Sequence, residues 1–513
     1  MPRFKEMPMD PSVMMLFGQS VEEAVPSDDG VRVFKDVMES LDYSAIESKC
    51  SEVGCPPYPP EVMVKVLVFA YSEGVRSSRR VEKLCKVDVR FIWLAGGLKP
   101  DHNTIARFRK GNWSELVELY QDSVRVSGEA NLVCLDLVST DGSKIAAAAS
   151  KRRVYSKLRI ERGLAAVEEI LREAEEVDRA EDREESLSSR DELPEELRDA
   201  KQRKARLEEI ASRLRESKRS AVVESEPESR VMLIGDRTAP GYNLQLSVDA
   251  GSQIIAAMKL TQDETDHGHL PEMIEEAESN TGLSAEAVVA DCGYADERTF
   301  EWIDESGRDV LMPVREHPGE CERDELFRSE CFLRGEHSDV LICPAGRELR
   351  FKREHRCGSG VYRTYAARGC QSCSFHGKCV GKPGMSRRIS LSKTSHVRER
   401  MRQRLRTAEG RALYAMRQQT IEPVFGQMKW NLGFDRFTCW GLEGATAEAA
   451  LMCMAHNVAK CAAKAAALAH CAVGEARSIV VAPGLALIGR IIGRLRRLFL
   501  GRSPQMLAAA AGL

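Results

Sequence analysis

No run in this 513-residue chain approaches the ~18–20 consecutive apolar residues that a bilayer-crossing helix needs. The best run, 479–488, is short and interrupted by Pro483. An excess of one charge is also lacking. Lys and Arg total 75 against 78 Asp and Glu, which leaves a net charge of −3. A polyanion-binding protein with that balance must segregate its cations rather than advertise them globally. The polar start of the chain has no apolar stretch of the kind a secretory signal carries. The sixteen cysteines are therefore expected as reduced thiols in the cytoplasm, some of them on metal, rather than as a disulfide scaffold. The length suggests two to four domains with ample residues for a core.

What is present begins with helical periodicity. Val33, Phe34, Val37, Met38 and Leu41 share one face, and the Pro56–Pro60 turn opens an apolar helix over 61–71. Gly96, Gly97 and Pro100 make a turn before a helix bearing Thr104, Arg107, Arg109 and Lys110. A cation-rich second helix in a helix-turn-helix outline suits DNA, with Arg76 and Arg79 ahead of it; an ordinary hairpin with a solvated basic face is the bland alternative. A strand is expected over 132–138, followed by Asp141-Gly142-Ser143-Lys144; Asp136 in that strand is a rival carboxylate on the opposite face. A charged, Leu-punctuated stretch over 155–228, divided by Pro194, reads as an inserted helical hairpin. A β-hairpin follows from Leu244 to Leu260, then Asp263 and Asp266 before a helix. The strand 287–290 ends in Asp291, close to Gly293, and 310–314 is a further strand. This alternation gives an α/β sheet with carboxylates at strand ends.

Residues 316–385 read as irregular and cysteine-rich. Cys370-x2-Cys373 sets two thiolates at the spacing of a tetrahedral ion, Cys379 offers a third and Cys343 a fourth, so zinc is the expected ion there; cysteines without a ligand in a loop-rich insertion are the alternative. Further on, Tyr414, Arg417, Glu422 and Lys429 follow one another at spacings of three, five and seven. At about 100° per residue a helix gathers them within roughly 140°. One carboxylate among two cations and a phenol suits a helix that holds a metal with Glu422 and phosphates with Arg417 and Lys429. His456, in an Ala-rich helix over 445–469, reads as a packed residue, and 489–502 as a basic amphipathic tail.

Together these stretches resemble bacterial insertion-sequence DDE transposases over about residues 31–460: Asp141-Gly142-Ser143-Lys144, Pro240-Gly241-Tyr242-Asn243, Asp291-x-Gly293-Tyr294, the Tyr414/Arg417/Glu422/Lys429 set with Phe425-Gly426, and N-terminally Pro57-Tyr58-Pro59-Pro60 and Trp93-Leu94-Ala95-Gly96-Gly97. Departures from the pattern are Cys292, Trp440 and one extra residue between Arg417 and Glu422. The resemblance implies an α/β fold with an RNase H-like mixed sheet flanked by helices, an all-α N-terminal domain and the charged hairpin as an insertion. The segments expected are a mobile 1–30, helical DNA-binding 31–128, core pieces 129–154, 229–315 and 386–470, the hairpin 155–228, the cysteine-rich 316–385 and a basic tail 471–513. It implies that Asp141, Asp291 and Glu422 bind two magnesium ions, with manganese able to substitute, about 3.5–4 Å apart. Double-stranded DNA is the implied partner, bound by a homodimer through Tyr414, Arg417, Lys429, Arg76, Arg79, Arg107 and Arg109, with no membrane and no small-molecule substrate. The expected reaction is hydrolysis at the element's ends followed by attack of the freed 3′-hydroxyls on target DNA. A catalytically silent DNA-binding relative and a nuclease that cuts without joining are the alternatives.

Overall fold

The computed structural model describes residues 20–50, 56–181, 195–217, 219–314, 325–334, 339–357, 360–380 and 384–474. The expectations for the first 19 residues, for Pro194, for Cys321 and for the basic tail lie outside them. Among the described residues no helix is long and apolar enough to cross a membrane.

The central strand, β1 (Leu137–Ala146), starts five residues later than the apolar pattern suggests. Asn131 and Leu135 have φ of 54° and 56°, left-handed values that no strand accommodates, so extended backbone begins only beyond them. Asp136 stays exposed outside the strand, and Asp141 falls in its middle rather than in a turn after it. The charged hairpin follows: β2 (Val154–Ser156) and β3 (Ala221–Val223) pair antiparallel at its base, and helices Lys157–Glu181 and Glu195–Ser217 extend from them. Its apolar seam, including Ile160, Val167, Leu207 and Ile210, forms small clusters separate from the main core, as befits an insertion.

The sheet resumes with β4 (Arg230–Ile234), β5 (Arg237–Asp249), β6 (Ile255–Thr261), β7 (Ala287–Ala290) and β8 (Asp309–Leu311). β5 pairs antiparallel with β1, β4 and β6, whereas β7 runs parallel to β1 and β8 parallel to β7. An antiparallel hairpin on one side of a central strand and two parallel strands on the other make the RNase H-like mixed sheet.

The cysteine-rich stretch is not irregular. β9 (Leu333–Arg334), β10 (Val340–Ile342), β11 (Glu348–Cys357), β12 (Gly360–Ala367) and β13 (Arg388–Ser392) form a second, antiparallel sheet that runs past residue 385. Its strands carry consecutive charges, Lys352-Arg353-Glu354, which hide the alternation by which strands are read.

One continuous core runs from Val21 to Cys461, joining the N-terminal helices to the main sheet. The C-terminal helix Gly441–Gly474 knits them together. Its Asn457 side chain accepts from Ile255 N–H at 2.8 Å and donates to Ile255 C=O at 2.9 Å, while Tyr120, on the N-terminal helix Trp113–Glu129, donates to the same carbonyl at 3.0 Å. Helix Pro60–Ser72 is buried on nearly all sides in this core, as its unbroken apolar run requires.

Candidate active site

Register brings the first two carboxylates together. β1 and β7 are paired in parallel up to Thr140 opposite Ala290. The next residues are Asp141 and Asp291, which leave adjacent strands on the same face. Asp291 then caps the turn Cys292–Tyr294, with its Oδ1 accepting Gly293 N–H at 2.6 Å.

The third carboxylate arrives on helix Ala408–Gly426, whose start is capped by the Thr407 hydroxyl accepting Gly410 N–H at 3.0 Å. Pro423 inside this helix has no N–H to give to the Gln419 carbonyl. Gln253, at the β5–β6 turn with φ 59°, donates its side-chain amide to that carbonyl at 3.0 Å. The helix is thus pinned to the sheet one turn before Glu422. Beyond Gly426 the backbone widens into a π turn over Gln427–Asn431. That turn delivers Lys429, whose Nζ donates to Ser143 Oγ at 2.6 Å, two residues along β1 from Asp141.

Arg417 stands among the three acids. Its Nη2 lies 2.6 Å from Asp141 Oδ2 and 3.9 Å from Asp291 Oδ2, and its Nη1 lies 3.6 Å from Glu422 Oε1. The Asp141 and Arg417 side chains are only 17% and 12% exposed, while that of Glu422 is 53% exposed, so the site is deep at one end and open at the other. One guanidinium faces three carboxylates. Burial, chiefly, pushes Asp141 up to about 6 against the pull of Arg417, and the charges of Asp291 and Asp266 add to the rise. Burial also lowers Lys429, which the Asp141 carboxylate partly offsets, and raises the half-buried Tyr414 phenol beside Arg417 and Asp291.

A fourth acid, Asp266, was read from the sequence only as a polar residue before a helix. Its Oδ1 accepts from Asn243 Nδ2 at 2.8 Å and Gln245 Nε2 at 2.6 Å. It sits where Gly142 would carry a side chain, and a Cβ on Gly293 would come within 2.9 Å of its Oδ2. Because neighbours on a strand face opposite ways, Asp266 backs β1 from behind Asp141. The signal that marks it is the buried polar alternation Asn243, Gln245, Ser247 within an otherwise apolar strand.

The carboxylate oxygens form a hard donor set that suits magnesium or manganese. Among the described residues no three acidic, His or Cys side chains stand closed on a common point; here the Arg417 guanidinium lies between the acids. The surplus of negative charge over that single cation is what a divalent ion matches. His456 is a packed residue, as its sequence suggests: it is buried, bonded to Gln253 C=O at 2.8 Å, and pushed down to about 4 by burial.

The N-terminal cations separate into two kinds. Arg79 and Arg107 are exposed. Arg109 is 6% exposed and donates to Tyr71 Oη at 2.9 Å, Arg76 C=O at 3.0 Å and Ser78 Oγ at 2.6 Å. Arg76 donates to Arg436 C=O at 2.6 Å and pairs with the fully buried Glu448 at 3.0 Å. Both are corrected from DNA contacts to internal ties: a distant acid and carbonyls claim the donors of Arg76, and a phenol, a hydroxyl and the Arg76 carbonyl claim those of Arg109. Cys343, Cys370, Cys373 and Cys379 line one cavity in the second sheet's module.

Two family models match parts of the chain. A family model described as a transposase DDE domain matches residues 342–462, which include Glu422, and a second transposase domain model matches 19–111. Among curated proteins none matches. A cryo-EM structure of piggyBac transposase in a synaptic complex with hairpin DNA aligns with TM-score 0.34 at 10% identity, covering 93% of this chain and 82% of that one. Transposase models thus match both an N-terminal and a C-terminal part of the chain, and in those parts it is similar to DDE transposases.

Proposed function

We propose that the chain binds the inverted-repeat ends of its own insertion sequence, hydrolyses a phosphodiester there and joins the freed 3′ ends to target DNA by transesterification. The observation that carries this reading is the meeting of Asp141, Asp291 and Glu422, from three separate elements, around one guanidinium. Magnesium ions, when bound by these carboxylates, activate the attacking water or 3′-hydroxyl and stabilise the departing oxygen. Asp141 holds the deep side of the site on β1, Asp291 stands more exposed just past the end of β7, and Glu422 closes the site from its exposed helix. Arg417, which stands among the carboxylates, would with Lys429 bind the DNA backbone if ions took its place there. Tyr414, half-buried beside Asp291, orients the strand next to the cut. Exposed Arg79 and Arg107 contact the element ends. Two ends must be paired for joining, so a homodimer is the working unit, acting on the cytoplasmic nucleoid.

The test uses purified chain, a duplex carrying the DNA that flanks its gene, and magnesium or manganese. Metal-dependent nicks with 3′-hydroxyl ends are expected at the element boundary, and each of Asp141→Asn, Asp291→Asn and Glu422→Gln reduces them by at least ~10³-fold, the scale on which losing a principal electrostatic group acts. Cleavage at the wild-type rate by Asp291→Asn would overturn the assignment.

A further inference from the structure

We propose that Cys343, Cys370, Cys373 and Cys379 hold one structural zinc ion, which staples the β9–β13 module inserted between the strand that follows Asp291 and the helix that carries Glu422. This goes beyond the reaction proposed above and stands whether or not that reaction is right.

The four sulfurs come from two places in the chain. Cys343 lies in the turn between β10 and β11, and the other three follow β12. They line a single cavity of about 20 Å³, on the scale of one water or one ion. Cys343 and Cys373 are near enough to Cys370 to interact with it electrostatically.

Both turns are shaped to present sulfur. In the first, Gly346 takes φ 75° and Arg347 N–H donates to Cys343 Sγ at 3.2 Å, which fixes the sulfur's direction. In the second, Gly369 takes φ 71° and opens the tight turn Cys370–Ser372, with Cys373 N–H bonded to Cys370 C=O at 3.0 Å. The Arg347 guanidinium ties the two turns together, donating to Gly369 C=O and, at 3.3 Å, to Ser372 C=O. It also sets a cation beside the sulfurs.

The module has a physical need for such a staple. Its own buried cluster amounts to Phe332, Leu341, Leu349, Tyr365 and Ile389 with two smaller residues, apart from the main core. A module with so small a core is marginal without a metal or a cross-link. None of the four cysteines is joined in a disulfide. They line the cavity, and among the described residues no three His, Cys, Asp or Glu side chains are already drawn together at metal-binding geometry. A zinc ion draws four thiolates to about 2.3 Å with tetrahedral geometry. The competing account is that they are four small apolar side chains filling a core.

The full-length chain, purified under reducing conditions from zinc-supplemented culture without DNA or magnesium, is analysed for zinc and iron. About one zinc per chain is expected, and cobalt-grown protein should show sulfur-to-cobalt charge-transfer absorption. Cys370→Ser and Cys373→Ser lose both, and Cys134→Ser, an exposed thiol elsewhere, keeps both. If the serine variants do not fold, stepwise mercurial titration of folded wild-type protein serves instead: zinc release should follow modification of these thiols. Wild-type protein without zinc, iron in its place, or thiols that titrate with no zinc released overturns the proposal. Because the readout involves no DNA, its failure leaves the transposition reading untouched, and failure of strand cleavage leaves the zinc measurement standing.

Discussion

Asp141 is held in its site at an energetic cost that should be measurable without DNA. Its carboxyl rises from 3.8 to about 6 because burial outweighs the Arg417 guanidinium at 2.6 Å. A raised native pKa means that the folded state binds the proton more tightly than the unfolded chain. The stabilisation is therefore complete below pH 3.8 and is lost as pH rises through 6. The full loss is about 3 kcal/mol, of which about 2 kcal/mol falls between roughly pH 4.5 and 7. The perturbation is Asp141→Asn, which cannot titrate, compared with wild type in metal-free buffer containing chelator. Removing the Arg417 contact offsets the two curves by a constant, since a guanidinium does not titrate in this range. The melting temperature of wild type should thus fall relative to the variant by a few degrees across that window and then level off. If wild type instead gains on the variant as pH rises, the Arg417 ion pair outweighs burial and the reasoning about this site is wrong.

Arg417→Gln should tighten manganese binding to the free protein, by removing the cation that competes for the three acids, while slowing cleavage; calorimetry and nicking assays read the two effects, and unchanged metal affinity would argue against competition. Gly142→Ala forces a Cβ into Asp266 and Gln245 and should cost about 1–3 kcal/mol, seen as a lower melting temperature together with lost cleavage. Arg109→Ala should destabilise by about 3 kcal/mol, since it leaves buried partners unpaired, whereas Arg107→Ala should leave melting within about 0.5 kcal/mol and reduce the salt slope of DNA binding by about one. Equal effects of those two arginines on melting would contradict their separation into buried and exposed.

The mixed sheet was legible because its strands are apolar runs with turn residues between them, and because an Asp with Gly close behind punctuates two of them. The offset of β1 was not legible, because it depends on left-handed backbone at Asn131 and Leu135 that no composition signals. Arg76 reads as an outward cation because its partners, Glu448 above all, lie more than three hundred positions away, and Arg109 because its partners Tyr71 and Ser78 sit on other helices, more than thirty positions back. The second sheet was hidden by charge on both faces of β11. Asp266 is not legible in the sequence, because its importance lies in what Gly142 and Gly293 lack. The Tyr414–Lys429 set was seen as one helical face, but Lys429 reaches β1 through a π turn that helical spacing does not foresee.

The most direct test of the central claim is to incubate the chain with the ends flanking its gene, magnesium and a target plasmid, and to sequence the products across any new junctions. Wild type should yield 3′ ends of the element covalently joined to plasmid DNA, and Asp141→Asn, Asp291→Asn and Glu422→Gln should yield none. Junctions formed equally well by those variants, or cut ends that never join, would contradict the account.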